Sequence, residues 1–260
     1  MVSTIRVEDL YMNKSSKSRI LIVEDQKSFR EAAEAELQAM GFETSTAEDG
    51  ERGFKAAGNK SFDLIISDIR MPGWDGARLL TELRKKNPQS PPFLFMSGFS
   101  DFSIEEAYDM GADGIIAKPF SSQVLEKAIH NALLPAATRW SSTQPPSSQK
   151  IIGEFSTVGD LSANLGICLG RGGFYVQGFQ ELGEIPLGSN VDYEFSFLTG
   201  DVKHLEGSAT LVWRRLHPEK PLSVEAGLAI SSLDSSCRDS VIAYIVNQKL
   251  IPFIPNHHNE

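Results

Sequence analysis

The sequence predicts two globular units of different class: an α/β doubly wound parallel sheet over residues 19–134, then a small antiparallel β-barrel with a C-terminal helix over residues 151–255. Three observations carry this. Short apolar runs at Ile20–Val23, Phe62–Ser67 and Phe93–Met96 alternate with helix-forming stretches, the pattern of successive βα units. Residues 135–150 then turn abruptly to proline and serine. Beyond them the apolar period changes to two, as Val191, Tyr193, Phe195 and Phe197 alternate with Asp192, Glu194 and Ser196.

Taken in order, residues 1–18 show no sustained periodicity and read as a flexible tail, with Ile5, Val7, Leu10, Tyr11 and Met12 available to dock on a surface. Ile20–Val23 is a strand that ends on Glu24 and Asp25. From Phe29 to Met40 alanine, glutamate and leucine predominate and Gly41 follows, which marks the first helix and its stop. Phe62–Ser67 delivers Asp68, Phe93–Met96 delivers Ser97, and Asp113-Gly-Ile-Ile-Ala leads to Lys118. A helix from about Ser122 to Leu134 ends the unit. Pro135–Lys150 is too rich in proline and serine to support a core and reads as a partly extended linker.

In the second unit Val224, Ala226, Leu228 and Ile230 repeat the two-residue period, and Phe174–Gln177 and Ala209–Trp213 supply further short strands. Val241, Ile242, Ile245, Val246 and Leu250 share one face of the final helix, with Ser236 and Asp239 placed to cap it. Residues 256–260 form a tail.

Bulk properties exclude several classes. An apolar fraction of 41% over 260 residues suffices for two real cores. The cysteines, Cys168 and Cys237, form no CxxC pair, so neither a disulfide framework nor a zinc site is indicated. No apolar run approaches the roughly 20 residues that span a bilayer, and no signal-peptide pattern opens the chain, so a soluble cytoplasmic protein without membrane insertion is expected. Residues 19–134 carry 13 basic and 19 acidic side chains and residues 151–260 carry 7 and 13, a net of −6 for each. A nucleic-acid-binding output would need a basic face, so none is expected. No nucleophile, histidine and acid recur at catalytic spacing, and His204 and His217 stand alone, so the chain reads as a non-enzyme.

The chemistry concentrates at strand ends. Glu24, Asp25, Asp68, Ser97 and Lys118 each follow an apolar run, which gathers them where open α/β sheets place their sites. Three carboxylates about 5 Å apart repel by roughly 3 kcal/mol per pair at an effective dielectric near 20. They stay ionised together only beside cations, for which a hard divalent ion such as magnesium (Mg2+) and the Lys118 ammonium are the natural choices.

These residues, in the runs Ile20-Leu-Ile-Val-Glu-Asp25, Asp63-Leu-Ile-Ile-Ser-Asp68-Ile-Arg-Met-Pro-Gly73, Met96-Ser-Gly98 and Ala117-Lys-Pro-Phe120, resemble the flavodoxin-like receiver domain of two-component response regulators from Arg19 to Leu134. The resemblance implies that Asp68 is the phosphoacceptor in a phosphorelay, served by a histidine kinase or phosphotransfer protein. It also implies that Glu24, Asp25, Asp68 and the backbone carbonyl of Arg70 hold magnesium, and that Ser97 and Lys118 sense the phosphoryl group. Homodimerisation through the receiver lies within the family's repertoire. The family's switch position, usually aromatic, is Ile115 here.

Residues 151–255 resemble a PilZ domain, the bacterial module that binds cyclic di-GMP, on Leu169-Gly-Arg-Gly-Gly-Phe-Tyr-Val176, Gly207-Ser-Ala-Thr-Leu-Val-Trp213, Ala226-Gly-Leu-Ala-Ile230 and the final helix. Ligand-binding members carry an RxxxR pair and a [D/N]xSxxG turn. Here no arginine occurs from Ser141 to Gly170, and alignment on Gly173 puts Cys168 at the acid or amide position and Gly170 at the serine position, next to Arg171. The degenerate motif implies an output that acts on an unidentified downstream protein without cyclic di-GMP. The alternative is a cyclic di-GMP effector in which Arg171 and Arg139 replace the missing pair.

Overall fold

In the computed structural model, which describes residues 17–88, 90–98, 103–141, 147–159, 166–217 and 220–255, the first unit is built on five parallel strands. These are β1 (Arg19–Val23), β2 (Glu43–Ala47), β3 (Leu64–Asp68), β4 (Phe93–Ser97) and β5 (Gly114–Ala117), in the order β2-β1-β3-β4-β5. Five helices, α1 (Lys27–Ala39), α2 (Gly50–Asn59), α3 (Gly76–Lys86), α4 (Ile104–Asp109) and α5 (Ser122–Leu133), alternate with them. Successive strand side chains point to opposite faces. Leu21, Val23, Ile65 and Phe95 meet Leu79, Leu80 and Ala107 on one side, while Ile20, Ile22, Ile66 and Met96 meet Leu37, Leu125 and Ile129 on the other. Burial on both faces is why these strands read as unbroken apolar runs. Gly41, at φ +91, supplies the left-handed residue that ends α1.

Strand order reverses between β1 and β3, and the crevice at their C-terminal ends is where such sheets bind ligands. Both strands deliver their acids there. The chain leaving β3 turns back tightly: Gly76 N donates to Ile69 O at 2.9 Å, and a Cβ on Gly76 would sit 2.2 Å from Asp68 O.

The second unit comprises β6 (Lys150–Phe155), β7 (Gly166–Leu169), β8 (Gly173–Gln177), β9 (Asn190–Phe197), β10 (His204–His217), β11 (Lys220–Leu233) and α7 (Ser235–Asn247). Its sheet runs β6-β9-β10-β11-β8-β7. β9 shows the expected alternation, with Val191, Tyr193, Phe195 and Phe197 buried. Register shifts between Ser208 and Ala209 and between Leu211 and Trp213 mark bulges that curl the long β10–β11 ribbon over its core.

Three expectations need correction. The architecture is a curled open sheet rather than a closed antiparallel barrel, because β6 pairs parallel to β9 and, among the described residues, the end strands β6 and β7 do not pair with each other. A parallel pair needs a long crossover, here provided by β7, β8 and a 3-10 turn at Gln180–Gly183. The stretch 135–150 is not only a linker. It forms α6 (Ala136–Arg139), buries Trp140 completely in the second core, lets Trp140 O accept from Leu233 N at 3.0 Å, and supplies Lys150 to β6. One large aromatic outweighs the surrounding prolines and serines. Finally, α7 is capped by Asp234, whose side chain accepts from Ser236 N, while Val246 is 55% exposed and Leu250 lies beyond the helix. The tail readings for residues 1–16 and 256–260, and residues 142–146 of the linker, lie outside the described residues.

Candidate functional site

Lys118 is the hub of the pocket. Its Nζ donates to Asp68 Oδ1 at 2.6 Å and to Glu24 Oε2 at 2.7 Å, and its backbone N donates to Ser97 O at 2.7 Å. Glu24 is 1% exposed, and the side chains of Asp68 and Lys118 are 13% and 21% exposed. Burial raises the Glu24 carboxyl above its ordinary range, against the lowering influence of Lys118. The same burial works to lower Lys118, but its bonds to Asp68 and Glu24 override it and hold the ammonium above the usual lysine range.

Glu24, Asp25 and Asp68 each present an oxygen, all within 4.8 Å of one another. Three carboxylates against one ammonium leave two uncompensated negative charges. Asp25 Oδ1 is buried without a hydrogen-bond partner, an arrangement that is costly unless a cation completes it. The donor set is oxygen only, which suits a hard divalent ion such as magnesium. Arg70 is exposed at the rim just past β3. Ser97 is buried at the end of β4, and its Oγ donates to Gly98 O at 2.8 Å.

Sequence reasoning missed Arg30, whose Nη1 donates to Glu24 O at 2.6 Å and Asp25 O at 3.1 Å and so pins the acidic loop from α1. Its only signal was position, one turn into the helix after the acids. Ile115 does not enter the pocket; it sits in β5 opposite Phe95, partly buried against the core on the α4 side.

Residues 20–130 match the family model described as the response regulator receiver domain. They form such a receiver. The chain is 38% identical over 109 residues to the transcriptional activator protein PfeR of Pseudomonas aeruginosa, covering 42% of this chain and 35% of that one. It is 34% identical over 124 residues to the transcriptional regulatory protein FixJ of Bradyrhizobium diazoefficiens, covering 47% and 60%. Among solved structures it is similar to the chemotaxis response regulator CheY4 of Vibrio cholerae at 30% identity and a TM-score of 0.42, covering 45% of this chain and 100% of that one. The chain thus spans less than two thirds of either curated relative.

The residues of the second unit singled out in the sequence, Cys168, Gly170, Arg171 and Gly173, lie apart from the receiver pocket. Cys168 is in β7, Gly170 and Arg171 form the β7–β8 turn, and Gly173 opens β8. A Cβ would lie 2.4 Å from Phe253 O at Gly170, 1.9 Å from the Phe253 ring at Gly172 and 2.2 Å from Leu228 O at Gly173. These glycines serve close packing within the chain. Burial, with the charge of Asp109 second, pushes the Cys168 thiol up to about 11, so it is inert at neutral pH. Among the described residues no helix is long and apolar enough to cross a membrane.

Proposed function

We propose that the protein is a phosphorelay response regulator in which Asp68 accepts a phosphoryl group from a histidine kinase or phosphotransfer protein and thereby gates the second unit. The observation that carries this is the shared hold of Lys118 on Asp68 and Glu24 beside the orphaned Asp25 oxygen. An Asp68 carboxylate oxygen attacks phosphorus, the donor's P–N bond breaks, and the leaving imidazole takes a proton from solvent. Glu24, Asp25, Asp68 and the Arg70 carbonyl would hold magnesium, which offsets charge on the phosphoryl oxygens. Lys118 moves its ion pair from the carboxylate to the new phosphoryl group, and the Ser97 hydroxyl exchanges Gly98 O for a phosphoryl oxygen. Homodimerisation through the receiver is compatible with this role.

The second unit, a degenerate PilZ-like module in this reading, acts by protein contact rather than by catalysis or cyclic di-GMP binding. Its support is the engagement of the motif turn with the chain itself: Arg171 Nη1 lies 3.0 Å from Asp113 Oδ1 of the receiver, and the turn glycines are filled by Phe253. One observation favours the effector alternative, since Arg139 and Arg171 both stand 5.9 Å from the Phe253 ring and so converge without an RxxxR motif. Isothermal titration of the full chain with cyclic di-GMP decides between them. No binding supports the protein-contact output; a Kd at or below about 10 μM, worth roughly 7 kcal/mol, would replace it with the effector.

A further inference from the structure

One edge of the second sheet is left open. β6 bonds to β9 on one side and, among the described residues, to no strand on the other. Its register with β9 is regular along all six residues and it contains no proline, so it lacks two of the devices that commonly blunt a strand edge. Two bonds fix the direction of its backbone groups: Gln149 O accepts from Asp192 N at 2.9 Å, and Phe155 O accepts from Leu198 N at 3.0 Å. In a parallel pair one residue turns both its N–H and its C=O to the neighbouring strand and the next residue turns both away. The odd-numbered residues therefore face β9, and Lys150, Ile152 and Glu154 present their backbone groups to the open side.

The same three residues carry the exposed side chains. Ile151 and Phe155 are buried in the core of the second unit, whereas Lys150, Ile152 and Glu154 lie on the outer face. Ile152 is 65% exposed, more than any other large apolar side chain among the described residues. It stands midway between a cation and an anion. An identical strand laid antiparallel and centred on Ile152 sets each Lys150 opposite a Glu154, on both sides of an Ile152–Ile152 contact at the two-fold axis. A parallel copy would set Lys150 on Lys150, and like charges directly opposite are destabilising. Lys150 Nζ already donates to Glu194 Oε2 on β9 at 2.7 Å, so in the antiparallel pair it sits between two carboxylates, one from each copy.

We propose that the open edge of β6 binds a second copy of this chain: two β6 strands pair antiparallel about Ile152 and merge the two sheets into one. Lys150, Ile152 and Glu154 each donate one N–H across the axis, which makes six backbone bonds for the pair. The contact belongs to the second unit and is independent of the receiver pocket and of the phosphoacceptor reading. A single strand pair is a small interface, so the dimer is weak, with a Kd of about 10–100 μM.

Sedimentation equilibrium of the full chain is the test. The wild type should move from 28.6 kDa towards twice that mass as its concentration is raised through that range. Lys150→Glu sets like charges against each other in its own homodimer, and so does Glu154→Lys; cross-strand charge pairs predict self-association weakened roughly tenfold or more in each. An equimolar mixture of these two variants restores both opposite-charge pairs and should associate more tightly than either variant alone. Ile152→Lys, with two cations at the axis, should stay monomeric, and circular dichroism confirms that each variant keeps the wild-type fold. A wild type that stays at 28.6 kDa throughout would overturn the proposal. So would a dimer unmoved by all three variants, which places the contact on another face, or two charge variants that gain nothing on mixing, which excludes the antiparallel register.

Discussion

Replacing Lys118 by methionine removes the ammonium and nearly preserves the side chain's length, which isolates the electrostatics of the pocket. The lost group makes bonds of 2.6 and 2.7 Å, one of them to a carboxylate that is 1% exposed. Removing one partner of a buried ion pair costs about 3–5 kcal/mol. Lys118 is 21% exposed, and solvent screening brings the expected loss to about 2–3 kcal/mol. Three carboxylates then share the pocket with no cation, so magnesium should stabilise Lys118→Met more than the wild type. An ion that binds only the folded state at a hundredfold excess over Kd returns about 2.7 kcal/mol. Urea unfolding followed by the fluorescence of Trp74, with and without magnesium, measures both effects. A variant with the wild-type midpoint in the absence of magnesium, or an equal magnesium response in the two proteins, would refute this account of the pocket.

Trp140 is fully buried in the second core, so Trp140→Ala should destabilise that unit by about 3–5 kcal/mol in calorimetry, and an unmoved transition would return residues 135–150 to a simple linker. Ile115 is partly buried away from the acids, so Ile115→Ala should cost up to about 3 kcal/mol while Asp68 phosphorylation, read by intact mass, persists. Burial works to raise the Asp113 carboxyl, but Arg171 and then Arg84 outweigh it and hold it below the ordinary carboxylate range. Its stabilisation is therefore complete above an unfolded value of about 3.9 and is lost as pH falls through the folded value. Unfolding free energy measured against pH should fall more steeply on acidification in the wild type than in Asp113→Asn, and equal slopes would contradict the assignment.

The receiver pocket was legible because each of its residues sits at the end of a strand whose apolar run announces it. Glu24, Asp25, Asp68, Ser97 and Lys118 all fell where that logic put them. The less legible parts are those set by distant contacts. β2, Glu-Thr-Ser-Thr-Ala, lacks an apolar run because it is an edge strand with little burial. Trp140 stood alone in a polar window, and only the folded core explains it. The β6–β9 pairing joins segments separated by two other strands. Asp113 meets Arg84 and Arg171 from 29 and 58 residues away, with no periodicity to announce either bond. Gly170 and Gly172, on either side of Arg171, lie in the run that resembles a ligand-binding turn, yet the space beside both is taken by Phe253.

The most direct test of the central claim is transfer from a small phosphodonor to the full chain, measured by intact mass and peptide mapping in the presence and absence of magnesium. One phosphoryl group on Asp68, dependent on magnesium, absent from Asp68→Ala and strongly reduced in Asp25→Ala, is the predicted result. Undiminished labelling of Asp68→Ala, or transfer indifferent to magnesium and to Asp25, would contradict it.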